Sequence, residues 1–395
     1  MSAAPAATTF IAPGSTLGVI GGGQLGRMFV QAAQRMGYRT VVLDPDPQSP
    51  AGGVAHRHIV SGYLDAHGLD ELAACADAIT TEFENVPAAA LEQLARSRRV
   101  APAAAAVAVC QDRAREKAQF VRCGVACAPH AVIEREADID AVAASLLPGI
   151  LKTMRLGYDG KGQVRVDDRA ALAAAWAHLG RAPCVLEQRL ALADELSVVV
   201  ARDASGASVV LPLHRNRHRD GILAVTHQPA TDLPAGLEES AYDAARRIAA
   251  AIDYVGVLCV EFFVLADGSL VANEMAPRPH NSGHASLDAC DVSQFELQVR
   301  ALVAAPLATP RQHSSAVMLN LLGDLWFAAG SASPTAREPA WAEVLALPGV
   351  HLHLYGKAEP RPGRKMGHLT VTAEGAAEAD AVARDAARRL GIAPW

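Results

Sequence analysis

The feature that most constrains this chain is a short apolar strand that ends abruptly in glycine. Leu17-Gly18-Val19-Ile20 runs into Gly21-Gly22-Gly23-Gln24-Leu25-Gly26. A helical stretch follows to Met36, Gly37 stops it, and Thr40-Val41-Val42-Leu43-Asp44 supplies a second strand. Two strands joined through a helix in this way lie parallel with a right-handed crossover, so the beginning of the chain commits to an open sheet with helices on its faces. Further strands are predicted at 58–60 and 78–81 and helices at 69–75 and 88–98, which completes an N-terminal α/β domain over residues 15–110. Residues 1–14, rich in Ala, Pro and Thr, are expected to be a disordered leader.

The texture changes after Pro102, where an Ala/Val run to Val109 reads as a linker or a small helix. A helix at 113–123 leads into strands at 131–133, 149–153, 163–166, 184–187, 196–201, 208–211, 223–226, 257–264 and 269–273, interrupted by helices at 170–178 and 237–252. Many strands with few helices indicate α+β rather than doubly wound α/β. The reading is a central domain at 111–310, with a small lid subdomain at 111–187 and a larger one at 188–310, then a small β-rich C-terminal domain at 311–395. A chain of 395 residues that is 51% hydrophobic can bury several cores. It contains no apolar run of roughly 18 residues, which excludes a membrane-spanning helix. The net charge of −6 argues against a general nucleic-acid or anionic-membrane binder, and a cytoplasmic protein is expected. Seven cysteines without a CxxC pair read as small hydrophobes.

Of 36 basic residues only five are lysine: Lys117, Lys152, Lys161, Lys357 and Lys365. A compact ammonium is not interchangeable with a guanidinium in a site, so each of these is a candidate for chemistry. The first glycine turn, with Gly23, Gln24 and Leu25 at the start of the helix, can present backbone N–H groups to a phosphate. Asp44 lies where a dinucleotide site would hold a ribose, so a nicotinamide enzyme is a competing reading. A second glycine-rich loop, Gly157-Tyr158-Asp159-Gly160-Lys161-Gly162-Gln163, joins two strands. It is therefore no P-loop: it is either a plain hairpin turn or a flap with an ammonium at its tip. Glu261 and Glu274 sit in apolar strands joined by Ala266-Asp267-Gly268, so they can face each other across a hairpin. Paired carboxylates there need a cation, either magnesium shared with nucleotide phosphates or salt bridges to arginines. Pro277-Arg278-Pro279-His280-Asn281-Ser282-Gly283-His284 is a dense polar cluster in which Arg278 is held by flanking prolines. Lys357, Arg361, Arg364 and Lys365 form either a solvated basic loop or an anion pocket.

These pieces, in order from Gly18 to Thr372, resemble the ATP-grasp superfamily, and within it the N5-carboxyaminoimidazole ribonucleotide synthetases. The specific segments are Gly21 to Met28, Thr81-Glu82-Phe83-Glu84-Asn85-Val86, Gly157 to Gln163, Asn273 to His284, and Arg361 to Leu369. The resemblance implies an ATP-grasp fold behind the N-terminal parallel-sheet domain. It implies ATP-dependent carboxylation of 5-aminoimidazole ribonucleotide with bicarbonate, by way of carboxyphosphate, with two magnesium ions and a homodimer. ATP would be bound by Arg113, Lys152, the loop Gly157, Tyr158, Asp159, Gly160, Lys161, Gly162 and Gln163, the hinge Glu187, Gln188, Arg189 and Leu190, then Glu195, His218, Asn273 and Glu274. Glu261 and Glu274 would hold the metal. The ribonucleotide would meet Gly23, Gln24, Leu25, Glu82, Tyr158, Asp159, His280, Asn281, Ser282, Lys357, Arg364 and Lys365. Catalytic roles are expected of Arg278, Lys161, Asp159 and Lys357. Arg215 and Arg217 depart from the pattern, which expects an acidic and an apolar residue there. The alternative within the superfamily is a ligase of the formate-dependent glycinamide ribonucleotide transformylase type.

Overall fold

The structure is a computed structural model, and it describes residues 9–157, 162–327 and 336–395. The first strands, β1 (Thr16–Ile20), β2 (Arg39–Leu43), β3 (Arg57–Ile59), β4 (Ala78–Thr81) and β5 (Arg99–Val100), form a parallel sheet in the order β3-β2-β1-β4-β5. The central strands are buried almost throughout, as a sheet with both faces covered requires. One face packs on Met28, Phe29 and Val30 of the first helix and on Phe295, Val299 and Leu302 of a helix almost 300 residues along the chain, Gln294–Val303. The other face packs on Leu69, Leu72, Leu91 and Leu94. The Ala/Val run after Pro102 is a helix, Ala104–Cys110.

A second sheet comes from β6 (His130–Ile133), β7 (Gly149–Thr153), β8 (Gln163–Val166) and β9 (Cys184–Gln188), antiparallel in the order β6-β9-β7-β8. Leu151, Leu172, Trp176 and Leu186 fill its small core. The loop between β7 and β8 is pinned at its base by Thr153 N–H donating to Gly162 O at 2.8 Å.

The third sheet is the largest. It contains β10 (Leu192–Arg202), β11 (Ser208–Val210), β12 (His214–Arg219), β13 (Ile222–Gln228), β14 (Gly256–Leu265), β15 (Leu270–Ala276), β16 (Ser315–Leu322), β17 (Val350–Leu354) and β18 (Lys365–Ala373). Their order is β15-β14-β10-β12-β13-β16-β18-β17, with β11 beside β10. The sheet runs without a break from the central part of the chain into the C-terminal part, because β13 pairs with β16 from Val225↔Leu319 to Gln228↔Ala316. Helix Leu237–Ala251 covers β10 and β14, and helix Ala376–Leu390 covers β16 and β18. β12 reads His-Arg-Asn-Arg-His-Arg, with no apolar side chain, and is a strand because neighbours on both sides complete its backbone ladder. None of the helices among the described residues is long and apolar enough to cross a membrane.

Candidate active site

The acid hairpin is the centre. In the β14–β15 pair Glu261 lies directly opposite Glu274, and the register shifts immediately after Glu261. Such a bulge turns the strand locally and re-aims its side chains. Each carboxylate has a basic partner: Glu274 accepts from Arg113 Nη1 at 3.1 Å, and Glu261 faces His280 Nε2 at 3.0 Å. One of the two expected salt bridges is thus to an arginine and the other to a histidine. Burial opposes ionisation of Glu261, but His280 and His218 prevail and bring its pKa down to about 2. Asn273 Oδ1, next to Glu274, is buried with no hydrogen-bond partner among the described residues. Two carboxylates and an unsatisfied amide oxygen are the hard donors that magnesium takes, with ligand oxygens completing the shell. Among the described residues no group of three or more His, Cys, Asp or Glu could hold a metal without such help.

Beside the hairpin lies a buried ion triad. Glu187, on β9, receives Lys152 Nζ at 2.9 Å and Lys117 Nζ at 3.1 Å, and Lys117 also donates to Asn273 O at 3.0 Å. Two ammonium groups outweigh the burial of Glu187 and hold its pKa at about 2, whereas burial lowers that of Lys152. The Glu187 side chain therefore anchors Lys152, while the chain continues through Gln188, Arg189 and Leu190 to β10 as the connection between the second and third sheets. Arg189 lies loosely 3.8 Å from Asp167. Lys117 was legible only as one of five lysines. Its neighbour Glu116 accepts from Met275 N–H at 2.6 Å, and burial pushes its pKa up to about 8.

The glycine turn is closed by acids of its own domain. Gly23 N–H and Gly26 N–H donate to the two oxygens of Glu82, at 2.8 and 3.1 Å, and Gly22 N–H donates to Asp44 at 2.6 Å. Glycine is required here. Gly21 has φ +99°, a Cβ on it would lie 2.4 Å from Glu82 Cγ, and one on Gly23 would lie 2.5 Å from Glu82 Oε1. Asp44 also accepts from Tyr63 Oη at 2.6 Å and from Asp46 N–H, so the carboxylate that a dinucleotide ribose would need is committed internally. The Leu25 side chain is core, and Gln24 is half-buried at the helix start. Burial dominates at Glu82 and raises its pKa.

Arg278 joins this domain to the hairpin: its Nε donates to Glu84 at 2.5 Å. Loss of solvent opposes charge on each of these half-buried groups, but their mutual attraction holds Glu84 at about 2 and raises Arg278. Glu84 belongs to the Thr81–Val86 motif, whose sequence alone does not reveal its arginine partner. Beyond Arg278, His280 is oriented through a chain of hydroxyls and amides. Thr226 donates to Asn216 at 3.0 Å, Asn216 to Ser197 at 2.9 Å and Ser197 to Ser282 at 2.7 Å, and Ser282 lies 2.9 Å from His280 Nδ1. Burial works against charge on His280, but the Cys259 thiol and Glu261 raise it to about 10. Asn281 is buried with neither amide atom bonded among the described residues. Glu195 and His218 pair at 2.7 Å. Arg215, the departure from the expected pattern, is matched by Asp194 at 2.6 Å.

Along the C-terminal edge, Lys357 Nζ donates to Lys365 O at 2.6 Å and lies 5.7 Å from the Tyr355 ring centroid. Lys357 borders a cleft of about 370 Å³ with Trp326, Arg337 and Met366. Arg364 donates to Glu359 O at 2.8 Å, and exposed Arg361 pairs with Glu359. Gly157, Gly162 and Gln163 flank the second glycine loop, and Gln163 pairs with Lys152 in the ladder. Tyr158, Asp159, Gly160 and Lys161 lie outside the described residues. A wider cleft of about 650 Å³, bordered by Val121, Cys127, His130 and Leu146, touches none of these residues.

Comparison with known families matches three stretches of the chain in order. Residues 15–111 match the ribonucleotide synthetase preATP-grasp domain, 118–295 the ATP-grasp domain, and 316–382 the phosphoribosylaminoimidazole carboxylase C-terminal domain. N5-carboxyaminoimidazole ribonucleotide synthase of Brucella melitensis biotype 1 is 46% identical over 365 residues, 92% of this chain and 97% of that protein. The enzyme of the same name from Bacillus subtilis is 38% identical over 361 residues, 91% of this chain and 92% of its own. Among solved structures, the Staphylococcus aureus synthetase complexed with ADP superposes with TM-score 0.87 at 36% identity, covering 97% of this chain and 98% of that one. The Aspergillus clavatus synthase in complex with ADP and 5-aminoimidazole ribonucleotide also superposes with TM-score 0.87, at 30% identity, covering 95% and 98%.

Proposed function

The chain belongs to the N5-carboxyaminoimidazole ribonucleotide synthase family of ATP-grasp ligases, and from that premise we propose how its own residues perform the reaction: ATP, bicarbonate and 5-aminoimidazole ribonucleotide give N5-carboxyaminoimidazole ribonucleotide, ADP and phosphate. The observation that carries this reading is the set of paired charges, buried at Lys117, Lys152 and Glu187 and partly buried elsewhere, that runs from Glu84 to Arg278 and from His280 through the Glu261–Glu274 hairpin to Arg113, Lys152 and Lys117.

Bicarbonate is a poor electrophile because its carbon already carries three oxygens and a negative charge. Phosphorylation converts one oxygen into a leaving group; the amine then attacks the carboxyphosphate, or the carbon dioxide released from it, forming the C–N bond as phosphate leaves and the amine gives up a proton. Most of the catalysis is charge placed in advance where charge develops. Lys152, held rigid by Glu187, and Arg113 supply fixed positive charge for the ATP phosphates. The hinge from Glu187 to Leu190 receives the adenine, and Glu195 with His218 receives the ribose. Glu261 and Glu274, with Asn273, would hold magnesium, which when bound neutralises phosphate charge. Arg278, already desolvated and aligned by Glu84, meets the carboxyphosphate oxygens.

Lys161 supplies an ammonium for the γ-phosphate, and Asp159 accepts a proton from the amine. Tyr158, His280, Asn281, Ser282, Lys357, Arg364 and Lys365 bind the ribonucleotide. The Gly23–Leu25 turn and Glu82 frame its far end, the turn through helix-start N–H groups not taken by Glu82. Water must be kept out, since carboxyphosphate in bulk water hydrolyses before the amine reaches it. The domain limits 15–110, 111–310 and 311–395, a homodimer and a cytoplasmic setting belong to the same reading.

The test is ADP release measured with each substrate omitted in turn. Release that needs both bicarbonate and 5-aminoimidazole ribonucleotide is expected. Release driven instead by formate and a glycinamide ribonucleotide would assign the chain to the other branch of the superfamily.

A further inference from the structure

Gln294 opens the helix Gln294–Val303, and its side chain is fully buried. Its amide grips the backbone of His280 on both sides. The His280 N–H donates to Gln294 Oε1 at 2.8 Å, and Gln294 Nε2 donates to His280 O at 2.8 Å. A backbone N–H only donates and a carbonyl only accepts, so the amide can lie only one way round. The other hydrogen on Nε2 is directed at His284 Nδ1, 3.0 Å away. That nitrogen must be the bare acceptor, which leaves the proton of a neutral His284 on Nε2. Protonated His284 would set one N–H against another and loosen the amide.

The surroundings keep His284 neutral. Burial lowers its pKa well below the ordinary value, and the nearby basic side chains of His280, His353, Lys365 and Arg278 act in the same direction. Its ring contacts are His368 on β18, at 4.6 Å between centroids, then Phe295 and Tyr355. Asp288, the acid near this cluster, is paired with His353 at 2.8 Å. The chain also leaves room for the amide: a Cβ on Gly283 would lie 2.6 Å from Gln294 Oε1.

We propose that Gln294 is a positioning residue for the amine substrate, fixing the backbone of His280, and that neutral His284 fixes the orientation of the Gln294 amide. The proposal rests on the reading of His280 as part of the ribonucleotide pocket. His280 is the joint between Glu261 and Ser282, so its displacement moves substrate-facing groups directly, and misplacement by about 1 Å is enough to cost on the order of 100-fold in rate.

Two full-length variants test it, Gln294→Met and Gln294→Glu, by steady-state ADP release with 5-aminoimidazole ribonucleotide and ATP varied separately between about pH 6 and pH 9. Gln294→Met is expected to raise KM for the ribonucleotide about tenfold or more, with KM for ATP within about threefold of the wild type. In Gln294→Glu the carboxylate still accepts from His280 N–H but sets its other oxygen against both His280 O and His284 Nδ1. A proton on His284 relieves that contact, so this variant should gain activity toward low pH relative to the wild type, a change that a purely structural role would not produce. The proposal is overturned if both variants keep the wild-type KM for the ribonucleotide. It is equally overturned if folding, ATP KM and turnover all decline together with no change in pH profile. A wild-type protein that releases no ADP with bicarbonate and the ribonucleotide defeats the functional reading and this proposal with it; an active wild type with unchanged variants defeats this proposal alone.

Discussion

Glu82 and Glu187 are both buried carboxylates, and they are compensated by opposite means. Glu82 is capped by two neutral backbone N–H groups of the glycine turn, and its pKa rises because burial wins. Glu187 is capped by two ammonium groups, and its pKa falls to about 2. Peptide dipoles do not replace the hydration that a buried carboxylate loses, whereas full charges at hydrogen-bond distance do. The contrast separates a turn that closes on its own acid from a triad that pins one carboxylate between two lysines.

The largest effect is expected from breaking the triad. Lys117→Met leaves Glu187 one ammonium short in a dry site and should lower stability by about 3 kcal/mol, read from chemical denaturation. Because the folded pKa of Glu187 lies below its unfolded value, its stabilisation is complete above about pH 4.5 and is lost as pH falls toward 2. In the variant the folded pKa rises toward the unfolded one, so the loss with falling pH should be smaller and complete at a higher pH. Stability within 1 kcal/mol of the wild type would mean that Lys152 alone suffices.

Next in size is the arginine that links the two regions. Arg278→Ala should slow turnover on the order of 100-fold. Arg278→Lys should recover little of it, because a single ammonium cannot both hold Glu84 and present a second edge to substrate. Near-normal turnover in the alanine variant would remove Arg278 from the chemistry.

Glu82→Gln sharpens the other side. One amide oxygen can accept from Gly23 or Gly26, but the NH₂ then faces a donor, so a loss of roughly 1–3 kcal/mol is expected in thermal or chemical unfolding. The sign with pH is opposite to that of Glu187. Wild-type Glu82 has a raised pKa, so its contribution is full at low pH and is lost as pH rises through the folded value; the variant should lack this dependence. Smallest of all, Glu71→Gln removes the solvent-exposed pair with Arg57 and should change stability by less than about 1 kcal/mol. A larger change there would show that the acid–cation contrast does not depend on burial.

Much of this was legible in the chain. The strand–glycine–helix–strand order fixed the parallel sheet, and the apolar runs around Glu261 and Glu274, with Asp267-Gly268 between, placed the acids opposite each other in register. Three things were not legible, for physical reasons. Closure of the glycine turn by Glu82 joins residues 56 and 59 apart, and no local period encodes it. β12 carries only charged and polar side chains, so its strand character comes entirely from neighbours on both edges. Glu116 and Lys117 look solvent-bound on a polar helix, and only the tertiary packing against Asn273 and Met275 shows that both are inside.

The pairing of β13 with β16 has a consequence for how this protein could be taken apart. A chain stopped near residue 310 would expose the edge of β13 from Val225 to Gln228, a row of backbone donors and acceptors ready to recruit a strand from another molecule. The tail is therefore no detachable module that could be exchanged between relatives at a linker. It closes the seam of a structure to which both parts belong, and shortened versions should be recovered as aggregates rather than as a smaller working unit.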